Sequence, residues 1–253
     1  MWRVFSASAT GQRNLEQGAA GQDACHCVVT DDVLVAVVCD GAGSVREGRT
    51  GADFVAHALT GLLADAWRAH RGPPDLRPEG EALRAIVQGA VETVRNRLAD
   101  LAVSHQCALE EFSCTLVGCV ASPDGGCLFH IGDGFAIQQD ASGEAVLSRP
   151  ENGEFADETY FVTDTSWRDH LRVTPLRAPE RGCIIGLMSD GTAPFAVDRA
   201  RSGFFRPFID PITAYLREAT ASIGNEALRN LLESSRASEI SPDDKTLLLA
   251  FVL

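Results

Sequence analysis

A chain of 253 residues with 45% hydrophobic content can bury one sizeable core, and it is read as a single domain spanning 1–253. Its formal net charge of −13 removes the cationic field that a nucleic-acid backbone or an anionic membrane requires, so neither is an expected partner. An acidic protein that handles phosphate must bring cations to do so.

In chain order, "MWRVFSASATG" has neither the apolar core nor the small-residue cleavage site of an export signal, and no stretch is long enough to cross a bilayer. A cytoplasmic protein with reduced, buried cysteines is therefore expected, although eight cysteines are present. Apolar runs at 2–8, 24–30 and 33–39 predict strands. The second contains Cys25, His26 and Cys27, three soft ligand types in a row, but zinc sites usually space their cysteines by two to four residues and no second pair completes this one. Helical spacing follows at Val55, Leu59, Leu62, Leu63 and Ala66, and again from Leu83 to Leu101, with "RGPPDLRP" at 71–78 as the loop between.

From 112 to 149 short apolar runs separated by "SPDGG" and "DASGE" predict an antiparallel meander. Residues 150–170 are polar and aromatic with weak periodicity, which fits a surface flap. The strand "CIIGLMSD" follows, then helical patterning around Ile212–Ile223 and Glu226–Leu232. The final strand, "TLLLAFVL", is apolar enough to lie inside a sheet, covered on both faces. The class is α+β, with helices covering mostly antiparallel sheet.

Three apolar runs end on aspartate followed by glycine: Asp40-Gly41, Asp133-Gly134 and Asp190-Gly191. Asp-Gly is a favoured hairpin turn, and for Asp133, which a strand follows directly, that explanation weighs equally with a functional one. Asp40 and Asp190 have no partner strand within sequence reach. Asp23 and the pair Asp243-Asp244 also stand beside strands, where each taken alone is an ordinary loop or capping residue. If these ends converge, each pair of like charges about 4 Å apart repels by about 4 kcal/mol at an effective dielectric of about 20. Such hard oxygen donors suit Mg²⁺ or Mn²⁺, and the glycine after Asp40 would let backbone approach an ion closely. A calcium-binding protein is disfavoured, because the acids are dispersed between strand ends rather than gathered in one loop.

The ordered motifs "GQDA" (21–24), "VVCDGAGS" (37–44), "HIGDG" (130–134), "LMSDGTAPF" (187–195) and "DDKTLLLAFV" (243–252) resemble the PP2C-type (PPM) metal-dependent serine/threonine protein phosphatases, in their bacterial branch. "NGEFADETYFVTD" (152–164) is similar to the flap of that branch. The resemblance implies a four-layer αββα sandwich of two mostly antiparallel sheets and a dinuclear Mn²⁺ or Mg²⁺ centre at one end of them. By it, Asp40 would bridge both ions, the Gly41 carbonyl would bind one, and Asp190 and Asp243 would hold the other. Asp23 matches an acidic position that reaches the metals directly or through water, and Asp133 one that, with Asp190, binds a weaker third ion. Asp244 stands where relatives often carry asparagine and ranks below Asp243.

The implied reaction is hydrolysis of phosphoserine or phosphothreonine by a metal-bound hydroxide, without a phosphoenzyme. The implied partners are a phosphorylated protein substrate, chosen by the flap, and a cognate kinase, with the chain itself a monomer. Two departures stand out. Relatives carry a phosphate-binding arginine five residues before the "GQDA" aspartate, where this chain has Gly18, and Arg13 farther upstream is the substitute candidate. Relatives with a histidine after the Asp-Gly use it as a general acid, whereas Ala42 stands here. Metal-bound water, His26 or His130 are the remaining proton donors, with His130 also readable as a core residue. These departures motivate the alternative of a catalytically weak or inactive regulator that binds phosphoproteins.

Overall fold

The computed structural model describes residues 2–69, 80–150, 159–200 and 202–252. Strands β1 (Trp2–Ala9), β10 (Lys245–Val252), β9 (Ile184–Met188), β6 (Phe135–Gln139) and β7 (Ala145–Ser148) form one five-stranded sheet in that order. The other contains β2 (Ala24–Thr30), β3 (Val33–Cys39), β4 (Leu116–Ser122), β5 (Gly125–Ile131) and β8 (Arg172–Leu176). Every pairing is antiparallel.

Alternation along the strands builds the layers. On β3, Val35, Val37 and Cys39 face a core shared with α2 (Gly48–Ala69) and α3 (Gly80–Ser104), while Leu34, Ala36 and Val38 face the opposite sheet. On β10, Leu247, Leu249 and Phe251 face the layer of α6 (Arg206–Glu218), α7 (Ala221–Leu232) and α8 (Ser235–Ile240), while Leu248 and Ala250 point between the sheets. Both strands are continuously apolar because both of their faces are dry. The result is the expected four-layer sandwich.

The expected meander is corrected. β4 and β5 form a hairpin in one sheet, but the chain then crosses and lays β6 and β7 into the other. Asp133-Gly134 is thus the crossing and not a hairpin turn: a Cβ on Gly134 would stand 2.6 Å from Val117 Cγ2 and 2.7 Å from the Met188 carbonyl. Turn chemistry is local, whereas the choice of sheet follows from which core the next strand completes. β8 carried no strand signal, since "RVTPL" is only partly apolar; it is an edge strand, where its Pro175 costs no ladder bond. Short helices α1 (Gln12–Glu16), α4 (Trp167–His170) and α5 (Ala193–Ala196) are likewise absent from the periodicity. The loop 71–78 and flap residues 151–158 lie outside the described residues.

All eight cysteines are free. Cys25 and Cys27 pack on the inter-sheet core, whereas the His26 ring lies 4.1 Å from that of His57 on α2, with Nδ1 2.6 Å from Thr60 Oγ1. Strand alternation therefore prevents the three from sharing a face.

His130 is 1% exposed, its Nδ1 is 3.1 Å from Ser148 Oγ, and its Nε2 has no hydrogen-bond partner. Burial, and then the Arg172 charge, push its pKa down to about 3, with the Gly132 backbone acting the other way. Because the folded value lies below the unfolded one of about 6.5, unfolded chains take up a proton that the fold refuses as pH falls from about 6.5 to 3, and the contribution of His130 to stability drops across that window. The acids Asp23 and Asp190, raised to about 7 and about 6, contribute with the opposite sign there, so the difference between the proteins isolates His130: in urea unfolding His130→Gln should gain on the wild type by up to about 1.4 kcal/mol per unit of falling pH, and equal pH slopes in both proteins would refute the assignment.

A second expectation concerns Gly191, where an added Cβ would lie 2.0 Å from the Asp244 carbonyl oxygen. Gly191→Ala must push two backbones apart and should lower stability by roughly 1–3 kcal/mol, measured by the same unfolding experiment.

Candidate active site

The ladder register gathers the acidic strand ends. Ala24 pairs with Cys39, so Asp23 entering β2 lies beside Asp40 leaving β3. Leu247 pairs with Met188, so Asp243 and Asp244 entering β10 lie beside Asp190 leaving β9. Asp133, leaving β5 on its way to β6, reaches the same end of the sandwich and acts electrostatically on both Asp40 and Asp190. Antiparallel neighbours deliver one strand's end to the other's beginning, which is why acids more than 200 residues apart in the chain meet.

Burial dominates the electrostatics of the cluster. It pushes the Asp40 carboxyl well above the usual range, and the charges of Asp23, Asp190 and Asp133 add to the shift. Asp190 is raised to about 6 by burial and then by Asp133, with Asp243 adding. Asp23 is raised to about 7, again chiefly by burial, with the Asp244 charge adding and the Ser189 hydroxyl opposing. Ser189 Oγ donates to Asp23 Oδ2 at 2.6 Å, but Asp23 Oδ1 is buried without any hydrogen-bond partner. An orphaned carboxylate oxygen facing further carboxylates is a position that a cation would satisfy.

Neighbouring groups hold other donors of the cluster. Arg13 Nη1 lies 2.8 Å from Asp243 Oδ1, which brings the candidate phosphate ligand to the site's rim, 70% exposed. Thr159 Oγ1 donates to Asp133 Oδ2 at 2.5 Å and ties the described part of the flap to the cluster. Among the described residues, no three His, Cys, Asp or Glu side chains close round a single point as a finished metal cage would. The acidic strand ends instead bring carboxylate oxygens near one another, the hard donor type that suits Mg²⁺ or Mn²⁺.

Gly41 has a packing reason of its own. Its Cβ would stand 2.5 Å from the backbone of Gly48, so glycine is required there for α2 to start against the strand end. The backbone N–H of Asp40 is held by Thr115 Oγ1 at 3.0 Å, and Thr115 N–H returns a bond to the Asp40 carbonyl at 2.8 Å. Neither candidate histidine packs against the carboxylates: His26 is engaged with α2, and His130 is enclosed beside Ser148.

Several residues of the site carry no sequence signal. Ser189, Thr115 and Thr159 are single hydroxyls whose partners are 26 to 166 residues away. Asp244 is 7% exposed and accepts bonds from Gly11, Asn14 and Gln22. Lys245, 1% exposed, donates from Nζ to the Asp243 carbonyl at 2.8 Å.

Comparison with known proteins agrees with this architecture. Residues 10–233 match the family described as Protein phosphatase 2C. Serine/threonine-protein phosphatase 3 of Escherichia coli K12 is 28% identical over 258 residues, covering 98% of each chain. Among solved structures, the S. agalactiae serine/threonine phosphatase superposes with a TM-score of 0.65 at 16% identity, over 100% of both chains. RsbX, solved in complex with magnesium, superposes with a TM-score of 0.58 at 12% identity, over 100% of this chain and 96% of its own. Fold, ordered acidic strand ends and the matched span together place the chain in the protein phosphatase 2C family, as an enzyme of the protein-serine/threonine phosphatase class.

Proposed function

We propose that this protein hydrolyses phosphoserine and phosphothreonine in protein substrates with two divalent cations, Mn²⁺ or Mg²⁺, held by the acidic strand ends. The observation that carries the proposal is the gathering of Asp23, Asp40, Asp133 and Asp190 at one end of the sheets, with Asp23 Oδ1 left without a partner. Asp40, Asp190, Asp243 and the Gly41 carbonyl would hold the two ions, and Asp133 a weaker third. Bound there, the cations would neutralise phosphoryl charge and acidify the attacking water.

The chain's own groups supply the rest. The Arg13 guanidinium, at the rim beside Asp243, would receive a phosphate entering from solvent. Asp23 is buried at the sheet end with Asp40 half-buried beside it, which strengthens the charge interactions there. The flap segment following Thr159 is tied to Asp133, so the surface that meets the rest of the phosphoprotein is fixed relative to the carboxylates.

The test is hydrolysis of p-nitrophenyl phosphate and of a phosphothreonine peptide. Turnover should require Mn²⁺ or Mg²⁺ and stop with chelator, and Asp40→Asn should lower kcat by about 100-fold or more. Full activity of Asp40→Asn, or turnover indifferent to metal, would exclude the proposal; peptide binding with no turnover at all would indicate a non-hydrolysing regulator. Calorimetric Mn²⁺ titration gives a second check: Asp190→Asn should weaken binding about tenfold or more, because a neutral amide replaces a charged donor.

A further inference from the structure

We propose that Asp244 is a positioning residue that carries Arg13 and Asp23 to the reaction centre, an inference that rests on the function proposed above. Its carboxylate is the hub of the segment between β1 and β2. Oδ1 accepts from the Gly11 backbone N–H at 2.6 Å, and Oδ2 accepts from Asn14 Nδ2 at 2.9 Å and the Gln22 backbone N–H at 2.5 Å. One buried side chain thereby fixes both ends of the excursion and the helix α1 within it. Arg13 lies next to Asn14, and its own N–H bonds to the Pro242 carbonyl at 3.3 Å. Asp23 follows Gln22 directly.

The packing leaves this segment little other choice. A Cβ on Gly11 would lie 2.3 Å from the Asp243 carbonyl carbon, so the backbones of the two segments are in contact. Gly21 N–H bonds to Thr10 Oγ1 at 3.3 Å, closing the excursion near its base. The donor set also specifies an acid. Both oxygens of Asp244 face N–H donors, and an asparagine would have to aim its NH₂ at Gly11 N–H or at the Gln22 and Asn14 donors. Asp244 thus acts through the loop: both of its oxygens accept from the segment that delivers the cationic rim and the buried acid.

The test is a double-mutant cycle on p-nitrophenyl phosphate hydrolysis with Mn²⁺, using Asp244→Asn, Asn14→Ala, Arg13→Gln and their combinations, with thermal stability measured alongside. Asp244→Asn should lower kcat/KM by about tenfold and Asn14→Ala by about three- to fivefold, each mainly as a higher KM. In the Arg13→Gln background Asn14→Ala should change kcat/KM by less than about twofold, because the contact it supports is already gone. Asn14→Ala carries the argument if Asp244→Asn does not fold. Lowered stability with unchanged KM, or Asn14→Ala and Arg13→Gln effects that simply multiply, would overturn the positioning role while leaving the phosphatase reading intact. A wild-type protein without Mn²⁺-dependent turnover would remove both.

Discussion

Carboxylates taken out of water beside one another resist ionisation, and the end of this sandwich holds three raised in this way, Asp23, Asp40 and Asp190. Asp40 and Asp190 each feel the charge of the other acids on top of their own loss of solvent, and both are raised for these reasons. A fold with only stability to serve would place apolar or singly paired residues there, since such repulsion opposes folding. The repulsion becomes intelligible once multiply charged cations are considered as the missing partners, and the proposed chemistry uses the same charge to handle phosphate.

The rest of the structure is arranged to maintain that crowding. Two five-stranded sheets with dry cores on both faces provide a rigid base, and antiparallel pairing brings strand ends and strand beginnings to one edge. Close backbone crossings at Gly41, Gly134 and Gly191 let α2, β9 and the 243–244 segment reach the acidic end without a side chain in the way. Each Asp-Gly pair thus combines a charge with a gap: the aspartate brings a carboxylate to the acidic end, and the glycine admits the neighbouring backbone.

Around the acids lies a layer of polar contacts with separate tasks. Thr115 and Ser189 orient Asp40 and Asp23, Lys245 fastens the Asp243 peptide, and Thr159 links the flap to Asp133. Asp244 belongs to this layer, because both of its oxygens accept bonds from the 11–22 segment, whereas Asp243 faces Arg13. Two adjacent aspartates in one motif therefore have different partners, decided by which segment lies within reach.

The strands β1, β2, β3, β9 and β10, the two long helices and the acidic strand ends were legible in the sequence, because burial on two faces leaves unbroken apolar runs and burial on one leaves a helical period. Their ordered motifs also carried the family. Only the tertiary structure decided that Asp133-Gly134 crosses between sheets, that "RVTPL" is an edge strand, that Gly41 makes room for Gly48, and that Arg13 meets Asp243. Those outcomes depend on which distant segment packs against which, whereas a residue's own neighbours in sequence record only local conformational preference and the sidedness of its surroundings.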